Sequence, residues 1–157
     1  MSIRSTAKAI IMHRNRILIN RCVNARGGVY FDLPGGGQNQ FETLEEALVR
    51  EVLEETGYQI KAGPLVAVVE EICDNEELRR TYFDYTHRLL HIFMAVLTDE
   101  PKRAVKEPDW QQQSSVWIPA AEADALTFRP ANLTGKITSL TAGAQVQYLG
   151  CVHFMNL

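Results

Sequence analysis

Between Leu33 and Gly57 the chain changes character twice, and that stretch limits the folds open to it more than any other. Pro34 followed by Gly35, Gly36 and Gly37 reads as a stop to regular structure. Proline withdraws a backbone donor, and glycine permits backbone angles closed to other residues. A helix follows over 43–56. Thr43 can cap it, Glu46 three residues later completes a capping box, and Gly57 suits the left-handed residue past its end. Leu48, Val49, Val52 and Leu53 fall in one arc that can face a core.

Around this unit the pattern is mostly β. Residues 7–12 and 17–23 are rich in apolar and β-branched side chains and read as two antiparallel strands joined by a turn at 13–16. Further strands are expected at 29–33, 65–73, 89–97, 116–118 and 146–154. The polar stretch 74–87 is either an excursion or a hairpin. A short helix is expected over 119–126, with Pro119 at its first turn, and a weaker one over 132–140, interrupted by Gly135. There is no internal repeat and no low-complexity segment. Strands outnumber helices without a regular β-α-β alternation, so the expected class is α+β, a mixed sheet with helices packed on its faces.

The 157 residues suit a single domain spanning the chain. With 46% hydrophobic and 22% charged residues, a disordered chain, a collagen and a disulfide scaffold are excluded. A net charge of −3 argues against a broad basic surface for duplex nucleic acid. No apolar run approaches the roughly 20 residues that cross a bilayer, and the first 16 residues do not read as a signal peptide. Cys22, Cys73 and Cys151 are odd in number and lack CxxC spacing, which favours buried free thiols in a reducing compartment, and hence a cytoplasmic location.

Charge is unevenly spread. Residues 42–55 hold six glutamates and one arginine, whereas the rest of the chain has 15 basic and 13 acidic residues. At about 100° per residue, Glu51, Glu54 and Glu55 lie within an arc of about 100° on one side of the helix. They repel one another and sit at the wrong end of the helix dipole. A solvated acidic face is one explanation. A bound divalent cation is the other, because hard Mg²⁺ or Mn²⁺ prefers carboxylate oxygen. The glycine loop at fixed spacing before the carboxylates favours the cation. Arg50, four residues from both Glu46 and Glu54, can pair with either.

These residues resemble a known family. Gly36, five residues, Glu42, seven residues, then Arg50-Glu51-Val52-Leu53-Glu54-Glu55-Thr56-Gly57-Tyr58 is similar to the Nudix box of the Nudix hydrolases (the MutT-like enzymes). Every glycine, arginine and glutamate of the box is present at its spacing. Tyr58 replaces the usual aliphatic residue, Asn39 stands where an acidic residue is frequent, and Phe41 where a glycine is frequent. Phe31-Asp32-Leu33-Pro34-Gly35-Gly36 and Trp117-Ile118-Pro119 extend the likeness.

The resemblance implies an α/β/α sandwich and Mg²⁺- or Mn²⁺-dependent hydrolysis of a diphosphate bond in a nucleoside diphosphate derivative. The candidates are a nucleoside triphosphate, ADP-ribose, a nucleotide sugar and a dinucleoside polyphosphate. It assigns Glu51, Glu54 and Glu55 to the metal, with the Gly36 carbonyl. It gives Glu51 the further task of orienting or deprotonating water, and makes Arg50 and Glu42 the network holding the carboxylates. Glu107 and Asp109 are candidates for a further base. Phe31, Phe41, Arg79 and Arg80 are candidate substrate contacts. The competing reading is a nucleotide-binding module that kept the fold without catalysis. The apolar run 146–154 is a candidate dimer contact.

Overall fold

The computed structural model describes residues 3–106, 108–143 and 145–156. Strand β1 (Arg4–His13) turns into β2 (Arg16–Val23) through Arg14 and Asn15. Both have positive φ, at 47° and 60°, as a two-residue hairpin loop of type I′ requires. Then follow β3 (Val29–Asp32), β4 (Gly35–Gly37), helix α1 (Leu44–Thr56) and β5 (Ile60–Cys73). Helix α2 (Glu76–Thr81) leads to β6 (His87–Leu97), β7 (Gln112–Pro119), helix α3 (Ile137–Ala142) and β8 (Gln147–Phe154).

The strands form one mixed sheet in the order β3-β2-β1-β6-β5-β8, with β4 also on β1 and β7 also on β2. The β1–β6 and β5–β8 pairs are parallel. Side chains alternate across β1. Ala7, Ala9 and Ile11 pack with Leu48 and Val52 of α1. Ile10 faces the other way, into a cluster with Phe128, Leu133, Ile137 and Leu140. The sheet therefore carries α1 on one face and the C-terminal helical segments on the other, the expected α/β/α arrangement. Burial of Leu48 and Val52 contributes about 1.5–3 kcal/mol each and fixes α1 to the sheet.

Several expectations are corrected. Gly35–Gly37 do not stop regular structure. They are a strand in register with β1, Gly37 opposite Thr6, Gly36 opposite Ala7 and Gly35 opposite Lys8. A Cβ on Gly35 would lie 2.2 Å from the Ala7 carbonyl oxygen, so the close approach needs glycine. Residues without side chains give no alternation to read. Of the two readings of 74–87, the excursion holds and the hairpin does not: α2, capped by the Asn75 side chain, is followed by a 3₁₀ turn at Phe83–Tyr85, and His87 already opens β6. The 119–126 segment is a 3₁₀ turn, Ala120–Ala125. The expected 132–140 helix is split at Gly135, φ +73°, into a turn at Ala131–Leu133 and α3. Cys22 and Cys73 are buried, but Cys151 is exposed.

Candidate active site

Helix α1 begins as its sequence dictates. The Thr43 side chain accepts from the Glu46 amide, and Glu46 accepts from the Thr43 amide at 2.8 Å. Glu46 is thereby committed to the cap, and Arg50 turns elsewhere. Its Nε and Nη2 donate to the two carboxylate oxygens of Glu42 at 2.7 and 2.9 Å. Its Nη1 donates to Glu51 at 2.8 Å and Glu54 at 3.2 Å, and Nη2 also reaches the Gly37 carbonyl at 2.9 Å. One guanidinium thus joins three carboxylates and the end of β4. Arg50 above all, together with the Asn39 amide, holds the Glu42 carboxyl down to about 2.

Gly36 lies directly beneath this network. A Cβ there would stand 2.4 Å from Glu51 Oε2, so only a bare backbone lets the carboxylate lie against β4. Glu55 departs from the other two. It is 3% exposed and points inward, its Oε2 accepting from Asn20 Nδ2 and from the Gly35 amide, each at 3.0 Å. Burial pushes its carboxyl up to about 8, against the pull of Lys8 and the Gly35 amide. Asn20 is itself held by Ser115 and Gln112, and Gln112 also donates to the Glu55 carbonyl. Lys8 and Asp32 pair at 2.8 Å in the same buried region. Burial opposes the Lys8 charge, but Asp32 and Glu55 more than offset it and hold the ammonium above its ordinary range.

A family model of the NUDIX domain matches residues 3–137. The chain belongs to the Nudix hydrolase family. Pyrophosphohydrolysis is the enzyme class that goes with it. Solved structures with the same fold include a NUDIX hydrolase from Nitrosomonas europaea, at 19% identity and a TM-score of 0.69, covering 90% of this chain and 89% of that one. A MutT NUDIX hydrolase from Burkholderia pseudomallei is 27% identical, with a TM-score of 0.55 over 77% of this chain and 86% of that one. An ADP-ribose pyrophosphatase from Streptococcus suis is 16% identical, with a TM-score of 0.60 over 94% of this chain and 99% of that one.

Around the Nudix box, the structure gathers some candidates and separates others. Gly36, Glu42, Arg50, Glu51 and Glu54 share one network, with Glu55 one layer deeper. No three histidine, cysteine or acidic side chains among the described residues stand together as a formed metal centre. Asp109 opens the turn into β7, bonded through its amide and carbonyl to Gln112. Its charge reaches Glu55, Asp32 and Lys8. Glu107 lies outside the described residues. Phe31 packs on Phe128, ring centroids 6.4 Å apart, against the core. Phe41 is 98% exposed on the loop beside Glu42. Arg79 and Arg80 lie on α2, paired with Asp74 and Glu76, beside a separate cavity of about 670 Å³.

Sequence reasoning missed Asn20, Lys8 and Arg4. Asn20 and Lys8 sit in apolar-looking strands, and only the fold shows that they face Glu55 and Asp32; Arg4 lies before the expected first strand, which in the structure begins at Arg4 itself. The Arg4 guanidinium lies where a Gly37 Cβ would be, 2.2 Å from it, and over the Tyr85 ring at 4.6 Å. No helix among the described residues is long and apolar enough to cross a membrane.

Proposed function

We propose that this Nudix chain hydrolyses the diphosphate bond of a nucleoside diphosphate derivative with Mg²⁺ or Mn²⁺, held by Glu51, Glu54, Glu55 and the Gly36 carbonyl. The observation that carries the reading is the Glu51 carboxylate lying against the Gly36 backbone while Arg50 holds Glu51, Glu54 and Glu42 together. The donor set fits a hard divalent ion, being carboxylate and carbonyl oxygen only. When bound, such an ion supplies Lewis-acid polarisation of phosphate oxygens and a more acidic water.

The chain's own groups do the positioning. Arg50 fixes the rotamers of Glu51 and Glu54 and removes their mutual repulsion, and Glu42 fixes Arg50 in turn. Glu51 is the carboxylate assigned to orient or deprotonate the attacking water, with Asp109 the alternative at the β7 end. The ligand is a small anionic nucleotide derivative. ADP-ribose is one compound to test, since the Streptococcus suis protein with this fold is an ADP-ribose pyrophosphatase. A cytoplasmic location and a homodimer through the edge strand β8 complete the proposal.

The test is a panel of nucleoside triphosphates, ADP-ribose, nucleotide sugars and dinucleoside polyphosphates, assayed with Mg²⁺ for phosphate, pyrophosphate and nucleotide release. At least one compound is cleaved, cleavage stops in EDTA, and Glu54→Gln slows it by about 10²-fold or more. Binding without cleavage would instead identify a non-catalytic nucleotide module.

A further inference from the structure

Phe41 is anomalous on two independent counts. Its φ is +68°, in the left-handed region that strains a bulky residue and that glycine enters freely. Its ring is also 98% exposed, so no burial offsets that strain. The Asn39 carbonyl accepts from the Glu42 amide at 3.2 Å, and Glu42 accepts from the Asn39 amide at 2.9 Å. These bonds close a four-residue turn with Phe41 at the third position, where positive φ calls for glycine. A strained, solvent-facing phenyl ring is a poor choice for stability.

Phe41 is among the residues lining a cavity of about 500 Å³ between this turn, the start of β1 and Asp84 of the 3₁₀ turn at Phe83–Tyr85. Arg4, Asn39, Gln40 and Asp84 also line it. Arg4 forms no ion pair, and Asn39, Gln40 and Asp84 make no side-chain hydrogen bond, among the described residues. Glu42 lines it too, but its carboxylate is engaged by Arg50 and the Asn39 amide. A flat apolar surface flanked by carboxamides, a carboxylate and a guanidinium suits a flat heteroaromatic ring with donors and acceptors on its edge. Stacking supplies affinity, and the planar polar groups read the edge. Charge is nearly balanced here, which favours a neutral ring over a further phosphate.

We propose that this cavity is the nucleobase subsite, with the base of the substrate stacked on Phe41 and its edge met by Asn39, Gln40 and Asp84. The assignment rests on the diphosphate-hydrolase reading for its place in turnover, because Glu42 both lines the cavity and is bonded to Arg50. Base binding itself needs no metal and no turnover.

The experiment titrates AMP, GMP, CMP, UMP and ribose 5-phosphate into the 157-residue chain in EDTA, by calorimetry. At least one nucleotide binds ten-fold or more tightly than ribose 5-phosphate. Phe41→Ala and Phe41→Gly abolish that preference, and Phe41→Tyr retains it. Phe41→Gly also raises the melting temperature, which shows that lost binding is not lost folding. Equal binding of ribose 5-phosphate, as a sugar subsite would give, or an undiminished preference in Phe41→Gly, would overturn the assignment. Failure of the wild-type chain to cleave any compound with Mg²⁺ would overturn the hydrolase reading alone, leaving the nucleotide titration to decide the subsite.

Discussion

Arg50 shows how a single side chain can be legible in type and illegible in aim. Spacing alone allowed it Glu46 or Glu54. The capping box removed Glu46, and the turn at 39–42 brought in Glu42, eight residues away, which no helical periodicity connects to it. This pairing has a pH signature. The folded-state pKa of Glu42 is lowered to about 2 from an ordinary value of 4.5, so the folded form binds its proton less readily. The stability it contributes is complete above about pH 4.5 and is lost as pH falls through about 2. Thermal melts should therefore show wild type and Glu42→Gln furthest apart above pH 5 and converging towards pH 2. A constant gap across that range would mean the carboxylate charge is not what matters.

At the level of elements, α1 was readable almost to the residue, because its caps and apolar arc are local. Strand β4 was not, because its three glycines carry no pattern and their pairing with β1 is set by register. The same strand separates structure from function residue by residue. A Cβ at Gly35 meets the fixed Ala7 carbonyl at 2.2 Å, and φ there is +125°, whereas a Cβ at Gly36 meets the movable end of the Glu51 side chain. Gly35→Ala should cost stability, about 2 kcal/mol or more in chemical denaturation. Gly36→Ala should leave the denaturation midpoint nearly unchanged and still reduce hydrolysis by about 10-fold or more, because Glu51 is displaced. A large stability loss in Gly36→Ala would mean that Glu51 cannot move aside. The helices of the 74–87 excursion were not foreseen, and the C-terminal segments were misread, for a further reason. Short helices and 3₁₀ turns are stabilised by tertiary packing more than by propensity.

Across the whole molecule, the mixed sheet and the helix on each face followed from strand-rich periodicity and one strong helix. The sheet order could not, since parallel neighbours such as β1 and β6 are 80-odd residues apart. The fold places the acidic helix over the β4 backbone and Asn20, Lys8 and Asp32 beneath Glu55, and that placement turns a repulsive charge cluster into a candidate cation site. The most direct measurement is a titration of Mn²⁺ into the protein, followed by the electron paramagnetic resonance signal of the free ion. The wild-type chain should diminish that signal saturably, and Glu51→Gln combined with Glu54→Gln should restore it while circular dichroism shows an intact fold. A signal as strong with wild-type protein as in buffer, or equal attenuation by the double variant, would contradict the account.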